Sequence, residues 1–358
     1  MLEKNTILQG DCLEVLKTIK DKSIDFIFAD PPYFMQTTGE LLRPSGTKFN
    51  GLDEEWDKFK DFKHYDDFCF TWLKECQRIL KDNGSICVIG SFQNIYRLGY
   101  LMQNLGFWIL NDIIWHKSNP VPNFAGTRLC NAHESLIWCA KNQKSKVTFN
   151  YKTMKYLNNN KQEKSVWEIP LCIGKERLKD ENKEKAHPTQ KPEILLEKLL
   201  LMATKPNDLV LDPFFGTGTT GAIAKKLGRF FIGIEKESQY IQIATNRIEN
   251  QKLDLDITAL GLLETKPPKV PMKDLIKKGY LQVGQFLYSK NKELQCEILK
   301  NGNVLDDEKQ ELSIHKMSAK ILNKINHNGW DYFYVTYKGA FIPLNDLRTI
   351  YQKECDAK

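Results

Sequence analysis

No stretch of these 358 residues approaches the apolar length that crosses a bilayer, and no basic-then-apolar signal segment opens the chain. Neither a membrane span nor export is expected. The nine cysteines include no Cys-x-x-Cys pair, so a zinc site and a disulfide framework are both disfavoured, and a reducing cytoplasm fits. The six histidines include no His-x-x-x-His pair, which removes the helix-borne metal-hydrolase motif. No metal site and no internal repeat are expected.

What is present is an ordinary globular balance, 41% hydrophobic and 27% charged, with an uneven distribution of charge. The formal charge is +7. Residues 119–186 carry 13 Lys/Arg against 7 Asp/Glu, and residues 266–358 carry 16 against 11. Basic segments flanking a near-neutral body suit a polyanionic partner, although a solvated lysine-rich surface reads the same way. Seven strand candidates begin at Thr6, Ile24, Ile86, Phe107, Glu134, Leu209 and Phe230, most of them separated by helical periodicity. That pattern predicts a doubly wound α/β sheet over residues 1–265. The segment 119–186 reads as a basic insertion within it, with a small core of Tyr151, Tyr156, Trp167, Ile169 and Leu171. Lys266–Pro271 reads as a linker, and 272–358 as a small strand-rich domain.

The chemistry centres on Asp30-Pro31-Pro32-Tyr33, which ends an apolar run from Ile24. Prolines cannot continue a ladder, so the strand stops at Asp30. A carboxylate, a stiff turn and an aromatic ring then stand at the carboxyl end of a strand, where open α/β sheets bind ligands. From Phe34 to Phe62 the chain shows no period, as functional or disordered loops do.

A second strand, Leu209–Leu211, leads into Asp212-Pro213-Phe214-Phe215-Gly216-Thr217-Gly218-Thr219-Thr220-Gly221 and a helix, and Glu235 ends the following strand. Gly-x-Gly-x-x-Gly in that context satisfies a dinucleotide fingerprint, so an NAD dehydrogenase is one rival reading. Against it, Asp212 stands where a pyrophosphate would sit, and the loop lies late in the chain. A carboxylate above a glycine turn suits a cationic cofactor without phosphate. S-adenosylmethionine has that character, and Glu235 could accept from its ribose hydroxyls. Asp30 and the Pro31 carbonyl could then accept both hydrogens of an exocyclic base amino group, freeing its lone pair, with Tyr33 stacked on the base. The base must first leave the duplex stack.

These motifs, in this order, resemble the β-class amino-methyltransferases, and among them the HinfI and CcrM group of DNA adenine-N6 methyltransferases acting on GANTC. The resemblance runs nearly the whole length. It is carried by Gly10-Asp11-Cys12, Phe28 to Tyr33, Leu41-Leu42-Arg43-Pro44, Lys117-Ser118-Asn119-Pro120 through Thr127-Arg128, His187 to Pro192, Asp212 to Thr220, Ser313-Ile314-His315-Lys316 and Asn328-Gly329-Trp330. It implies a circularly permuted seven-stranded sheet with one hairpin. It implies that Asp30, Pro31, Pro32 and Tyr33 serve catalysis and the flipped adenine. Asp212, Phe214, Gly216, Thr217, Gly218, Thr219 and Glu235 would bind S-adenosylmethionine. Asp11 and Cys12 would lie by its adenine, and His187, Thr189, Gln190 and Lys191 near its methionine end. Double-stranded DNA is the implied substrate and a homodimer the implied assembly; a cognate restriction endonuclease is left open.

For DNA contact, Arg43 and Arg128 sit in loops that could reach guanine edges, and Leu41 and Leu42 could wedge into the space a flipped base leaves. Asn119, Asn123, His315, Lys316 and Trp330 join them through the family motifs, while core packing competes for Trp330, Tyr332 and Tyr334. His133-Glu134 reads as a strand start with a structural role. N4-cytosine methylation stays open, although that class more often has Ser-Pro-Pro at the turn. A DNA-binding regulator without turnover stays open as well. Cytosine-C5 chemistry is set aside, because it needs a thiol, usually after proline, and no Pro-Cys occurs.

Overall fold

A computed structural model describes residues 3–35, 41–42, 48–49, 55–123, 126–179, 185–260 and 269–356. The chain divides into two units, Met1–Glu264 and Thr265–Lys358.

The first unit is built on one sheet. Its strands are β1 (Thr6–Gln9), β2 (Ile24–Ala29), β5 (Leu80–Gly90), β6 (Trp108–Lys117), β7 (His133–Ala140), β8 (Val166–Ile169), β9 (Leu209–Asp212) and β10 (Phe230–Glu235); β3 (Leu41–Leu42) and β4 (Lys48–Phe49) form a separate antiparallel ribbon. The sheet order is β1-β10-β9-β2-β5-β7-β6-β8. Every neighbouring pair is parallel except the two that involve β7. The central strand β2 shows why both faces are covered. Phe26 and Phe28 enter one core with helices α5 (Glu193–Ala203) and α6 (Thr219–Lys226), while Ile27 and Ala29 enter the other with α1 (Cys12–Thr18), α2 (Phe62–Ile79) and α3 (Ile95–Asn104). Helix α2 buries Tyr65, Cys69, Trp72, Leu73, Cys76 and Ile79 along one stripe, and Asp61 caps it by accepting from the His64 N–H at 2.9 Å. No helix among the described residues is long and apolar enough to cross a membrane.

Asn83-Gly84 lies inside β5, at an irregular register against β2, and a side chain at Gly84 would meet the Asp25 carbonyl at 3.1 Å. Two sequence expectations change. Segment 119–186 is not a body apart, since β7 and β8 belong to the main sheet. Met154 of α4 (Tyr151–Leu157), Trp167 and Ile169 are buried in the shared core, whereas Tyr151 and Tyr156 are exposed. The sheet therefore has an eighth strand, β8, added beside β6. Its four residues alternate exposed and buried, too short a run for periodicity to identify.

The second unit holds a six-stranded antiparallel sheet, ordered β14-β13-β12-β11-β15-β16. Its strands are β11 (Phe286–Tyr288), β12 (Gln295–Ile298), β13 (Val304–Leu305), β14 (Glu311–Leu312), β15 (Tyr334–Tyr337) and β16 (Ala340–Pro343). Val270, placed in the linker by composition, is buried in this unit's core beside Leu275, Leu287, Ile298, Phe333 and Leu344. Asn328-Gly329 starts a short helix, Gly329–Tyr332, with the Asn328 side chain accepting from the Trp330 N–H. Gly329 is required there: a Cβ would fall 2.2 Å from the Ile314 carbonyl oxygen.

Candidate active site

Four adjacent parallel strands, β1, β10, β9 and β2, run in the same sense, so their carboxyl ends line one edge of the sheet. Each end carries an acid: Asp11 just after β1, Glu235, Asp212 and Asp30. The antiparallel strand β7 begins at this same edge with His133-Glu134, and β6 finishes there with Lys117. Ligands bind at such an edge in open α/β sheets.

A cavity of about 420 Å³ opens there, and Asp30, Pro31, Pro32 and Tyr33 line it. So do Asp11, Cys12, His187, Thr189, Phe214, Gly216 and Glu235. Asp11 also caps α1, accepting from the Leu13 N–H at 2.8 Å. Glu235 accepts from the N–H groups of Gly216 (2.7 Å), Lys236 (2.8 Å) and Glu237 (2.9 Å). Burial raises its carboxyl above the usual range against those three bonds. Burial also pushes the Cys12 thiol up to about 12, so it stays neutral.

Five residues read as cofactor ligands, and Lys191, stand behind the wall and not in it. Asp212 turns back to the start of α6, accepting from Thr220 Oγ1 at 2.6 Å and from the Phe214 N–H at 2.9 Å. Burial, with Asp30 and Glu235 nearby, brings its carboxyl to about 7. Gly218, in the left-handed region at φ 74°, closes the loop against Ala244, and Thr217 and Thr219 are buried behind it. Gln190 ties Leu178 N–H and Glu176 carbonyl together. Of the three fingerprint glycines, Gly216 alone faces the cavity, with His187 Nε2 3.5 Å from where its Cβ would be.

Lys191 reaches the reacting edge instead. Its Nζ lies 2.6 Å from Asp30 Oδ2 and 5.2 Å from the centre of the Tyr33 ring. Beside it, Tyr33 OH donates to Glu134 Oε2 at 3.0 Å, and Lys117 Nζ pairs with Glu134 Oε1 at 2.8 Å. Two ammonium and two carboxylate groups thus share one buried cluster. Burial works against the charge on Lys191, yet Asp30 and Glu134 outweigh it and hold the ammonium protonated. Burial likewise opposes the charge on Glu134, but Lys191 and Lys117 hold that carboxyl below its usual range. For Asp30 burial wins, and its carboxyl lies above the usual range despite Lys191. Burial and both carboxylates raise the Tyr33 phenol far up, so it remains a donor. Asp30 Oδ1 is buried with no hydrogen-bond partner among the described residues. An unpaired carboxylate oxygen in such a place is costly unless a donor arrives.

Sequence reading passed over Lys117, and gave Glu134 a structural role. Their only signal is an ionisable residue at the open end of an apolar strand, which becomes legible once the strand direction is known. On the other side of the turn, the hydroxyl of Tyr65, buried in α2, donates to the Pro32 carbonyl at 2.8 Å and accepts from Asn94 Nδ2 at 3.0 Å. His187 packs against Tyr240 and Trp56, and its Nδ1 accepts from the Thr189 N–H at 3.2 Å. Burial, then Lys191 and Arg177, depress its pKa to about 4, so the ring is neutral. With Nδ1 an acceptor, the proton sits on Nε2, the nitrogen beside Gly216.

The residues proposed for nucleic-acid contact divide. Leu41 and Leu42 form the ribbon with Lys48–Phe49, while Arg43 lies outside the described residues. Asn119 Oδ1 accepts from the Leu171 N–H, tying its loop to the segment after β8, and Asn123 Nδ2 donates to the Arg128 carbonyl within the loop. Arg128 is exposed. In the second unit His315 and Trp330 line an open groove with Lys269, Ser313, Asn328 and Arg348. Trp330 is mostly buried under the Arg348 guanidinium, 4.1 Å from its ring centre, and Lys316 is exposed one residue beyond His315.

A DNA methylase family model matches residues 24–246, and a second, Restriction Enzyme Adenine Methylase Associated, matches residues 262–357. The chain is 63% identical over 350 residues to Type II methyltransferase M.HinfI from Haemophilus influenzae, covering 98% of this chain and 97% of the relative. It is 43% identical over 248 residues to Type II methyltransferase M2.LlaDCHI from Lactococcus lactis subsp. cremoris, covering 69% and 90%. Among solved structures, the M1.HpyAVI–SAM complex is similar at TM-score 0.50 and 29% identity, over 68% of this chain and 98% of that one. The PvuII cytosine-N4-specific DNA methyltransferase shares the fold at TM-score 0.55 and 21% identity, over 73% and 92%.

Proposed function

The chain belongs to the DNA methylase family, and from that premise we propose that it methylates N6 of an adenine flipped out of duplex DNA, within GANTC. It is an S-adenosylmethionine-dependent DNA methyltransferase of the HinfI kind. The observation that carries the choice of reacting group is Asp30 Oδ1, a buried acceptor without a partner at the wall of the cavity.

The cavity fits the methyl donor. Asp11 and Glu235 give it an acidic wall, His187 is neutral, and Asp212 stands at the start of α6, where a dinucleotide's pyrophosphate would meet repulsion. Bound S-adenosylmethionine supplies an electrophilic methyl group on a sulfonium. Glu235 has acceptor capacity left for a diol, and Gly216 with His187 lines the wall where the amino-acid end would lie.

The remaining work belongs to the Asp30–Tyr33 turn. A base amino group is a weak nucleophile, because its lone pair is delocalised into the ring. Asp30 Oδ1 and the Pro31 carbonyl accept its two hydrogens and draw the nitrogen towards a tetrahedral shape. The Pro32 carbonyl is already engaged by Tyr65, so the second contact is assigned to the Pro31 carbonyl beside Asp30. Tyr33, its hydroxyl pinned by Glu134, offers its ring to the base. Catalysis is positioning and electrostatics, with no covalent intermediate on the protein.

An amino group alone does not choose between adenine and cytosine, and the same fold carries a cytosine-N4-specific enzyme. Aspartate at the turn, and a second unit matched by the adenine-methylase-associated model, favour adenine. Arg128 and Arg43 are assigned to guanine edges, Leu41 and Leu42 to the vacated stack, and Asn119 and Asn123 to the shape of the recognition loop. His315 and Trp330, in the Arg348 groove, and the exposed Lys316 beside His315 are assigned to the duplex backbone. The reading includes a homodimer and a place in the cytoplasm on the nucleoid, and leaves a cognate endonuclease open. Duplexes differing only within GANTC, incubated with methyl-labelled cofactor, test the sequence claim: label is expected in the GANTC duplex alone, and equal labelling of scrambled duplexes would sink it.

A further inference from the structure

The catalytic turn is gripped on a second side by a residue that does not line the cavity. Asp57, 6% exposed, ends the short helical turn Glu55–Asp57. Its Oδ1 accepts from the N–H groups of Tyr33 (2.6 Å) and Phe34 (2.8 Å), and its Oδ2 from that of Met35 (2.8 Å). Three consecutive amides aimed at one carboxylate form an anion nest. The nest requires an uncommon backbone: Phe34 sits at φ 50°, in the left-handed region that bulky residues avoid. The Phe34 ring is wedged among Phe59, Phe62 and Tyr65 with centroids 5.3–5.8 Å away. Neighbours of Asp57 on both sides, Trp56 and Lys58, line the cavity, whereas Asp57 itself faces the backbone.

The backbone polar groups of the turn are therefore divided by use. Tyr65 holds the Pro32 carbonyl, Asp57 holds the three N–H groups that follow, and the prolines have none to offer. The Asp30 carboxylate and the Pro31 carbonyl are the acceptors assigned to substrate. We propose that Asp57 is a positioning residue for methyl transfer, fixing the exit of the Asp30–Tyr33 turn so that both acceptors and the Tyr33 ring meet the target amino group in register. The same carboxylate joins the two ends of the segment that leaves at Met35 and returns at Glu55, and so ties the turn to the stretch bearing Leu41 and Leu42. This rests on the assigned amino-group chemistry, but not on which base carries the group.

Single-turnover methyl transfer with the full chain, saturating S-adenosylmethionine and a GANTC duplex tests it. Asp57→Ala is expected to transfer about 100-fold more slowly, the loss that a displacement of about 1 Å brings. Asp57→Asn keeps one oxygen for the Tyr33 and Phe34 N–H groups but presents a donor to Met35; it should fall between Ala and parent. Cofactor and duplex dissociation constants should stay near parental values. A rate for Asp57→Ala within about 3-fold of parent at saturation would overturn the proposal, because a loss confined to binding or to the folded fraction is a structural role. If Asp57→Ala does not fold, Asp57→Asn decides: a rate several-fold below parent supports the role and a parental rate overturns it. Methyl found on cytosine would change the base assigned above and leave this comparison intact.

Discussion

Asp30→Ala is expected to lower the rate of methyl transfer by about 10³-fold, while cofactor and duplex still bind. Alanine removes a buried acceptor at the cavity wall that has no partner among the described residues, together with the charge that polarises the amino group. The cofactor wall is built by other strands, from Asp11, Gly216 and Glu235, so it survives the change. The Lys191 ammonium loses its 2.6 Å partner but keeps Glu134 nearby, which limits the structural damage. Single-turnover rates, paired with calorimetric binding of cofactor and duplex, separate chemistry from binding. Unchanged turnover would refute the assignment of Asp30, and an equal loss of cofactor affinity would move Asp30 into the cofactor wall.

Lys191→Met is expected to move the acidic limb of the pH–rate profile upwards, because it removes the close opposite charge that favours the ionised carboxyl. The direction follows from the balance at Asp30. Burial already raises its carboxyl, and Lys191 is the largest opposing influence. Without the ammonium the carboxyl binds its proton more tightly, and a protonated Asp30 is a donor on one oxygen. Activity is then lost on the acidic side and recovered as pH rises past the shifted limb. Glu134 retains Lys117 at 2.8 Å, so Tyr33 keeps its acceptor. A contact to the cofactor's methionine end, the role the sequence motif implies for Lys191, predicts something else: weaker cofactor binding with an unmoved pH profile. The two outcomes distinguish a lysine that sets the charge of Asp30 from one that holds the cofactor.

The contrast between Lys191 and Gly216 shows how far the sequence carried. Asp30, Gly216 and Glu235 were legible because each stands at the end of an apolar run, where strand direction and turn chemistry are local properties. The motif around Lys191 gave no sign of Asp30 as its partner, since that residue is 161 positions away in the chain. Glu134 reaches the edge at the start of the single antiparallel strand, β7, and Lys117 at the end of β6, and no local pattern reports which end of β7 lies beside β5's carboxyl end. The β8 strand was missed for the opposite reason. Four residues in a lysine-rich stretch carry little periodicity, and Trp167 and Ile169 are recruited by a core made elsewhere. The glycine fingerprint was over-read, because Gly218 and Gly221 mainly let Phe215, Ala244 and Ile248 approach.

The central claim is that the Asp30–Tyr33 turn delivers a methyl group to N6 of adenine. Duplex DNA methylated by the purified chain, digested to nucleosides and resolved by mass spectrometry, tests it most directly. The account predicts N6-methyladenosine as the deoxynucleoside, appearing with the parent chain and absent with Asp30→Ala. N4-methylcytosine as the product, or N6-methyladenine formed at the parental rate by Asp30→Ala, would contradict it.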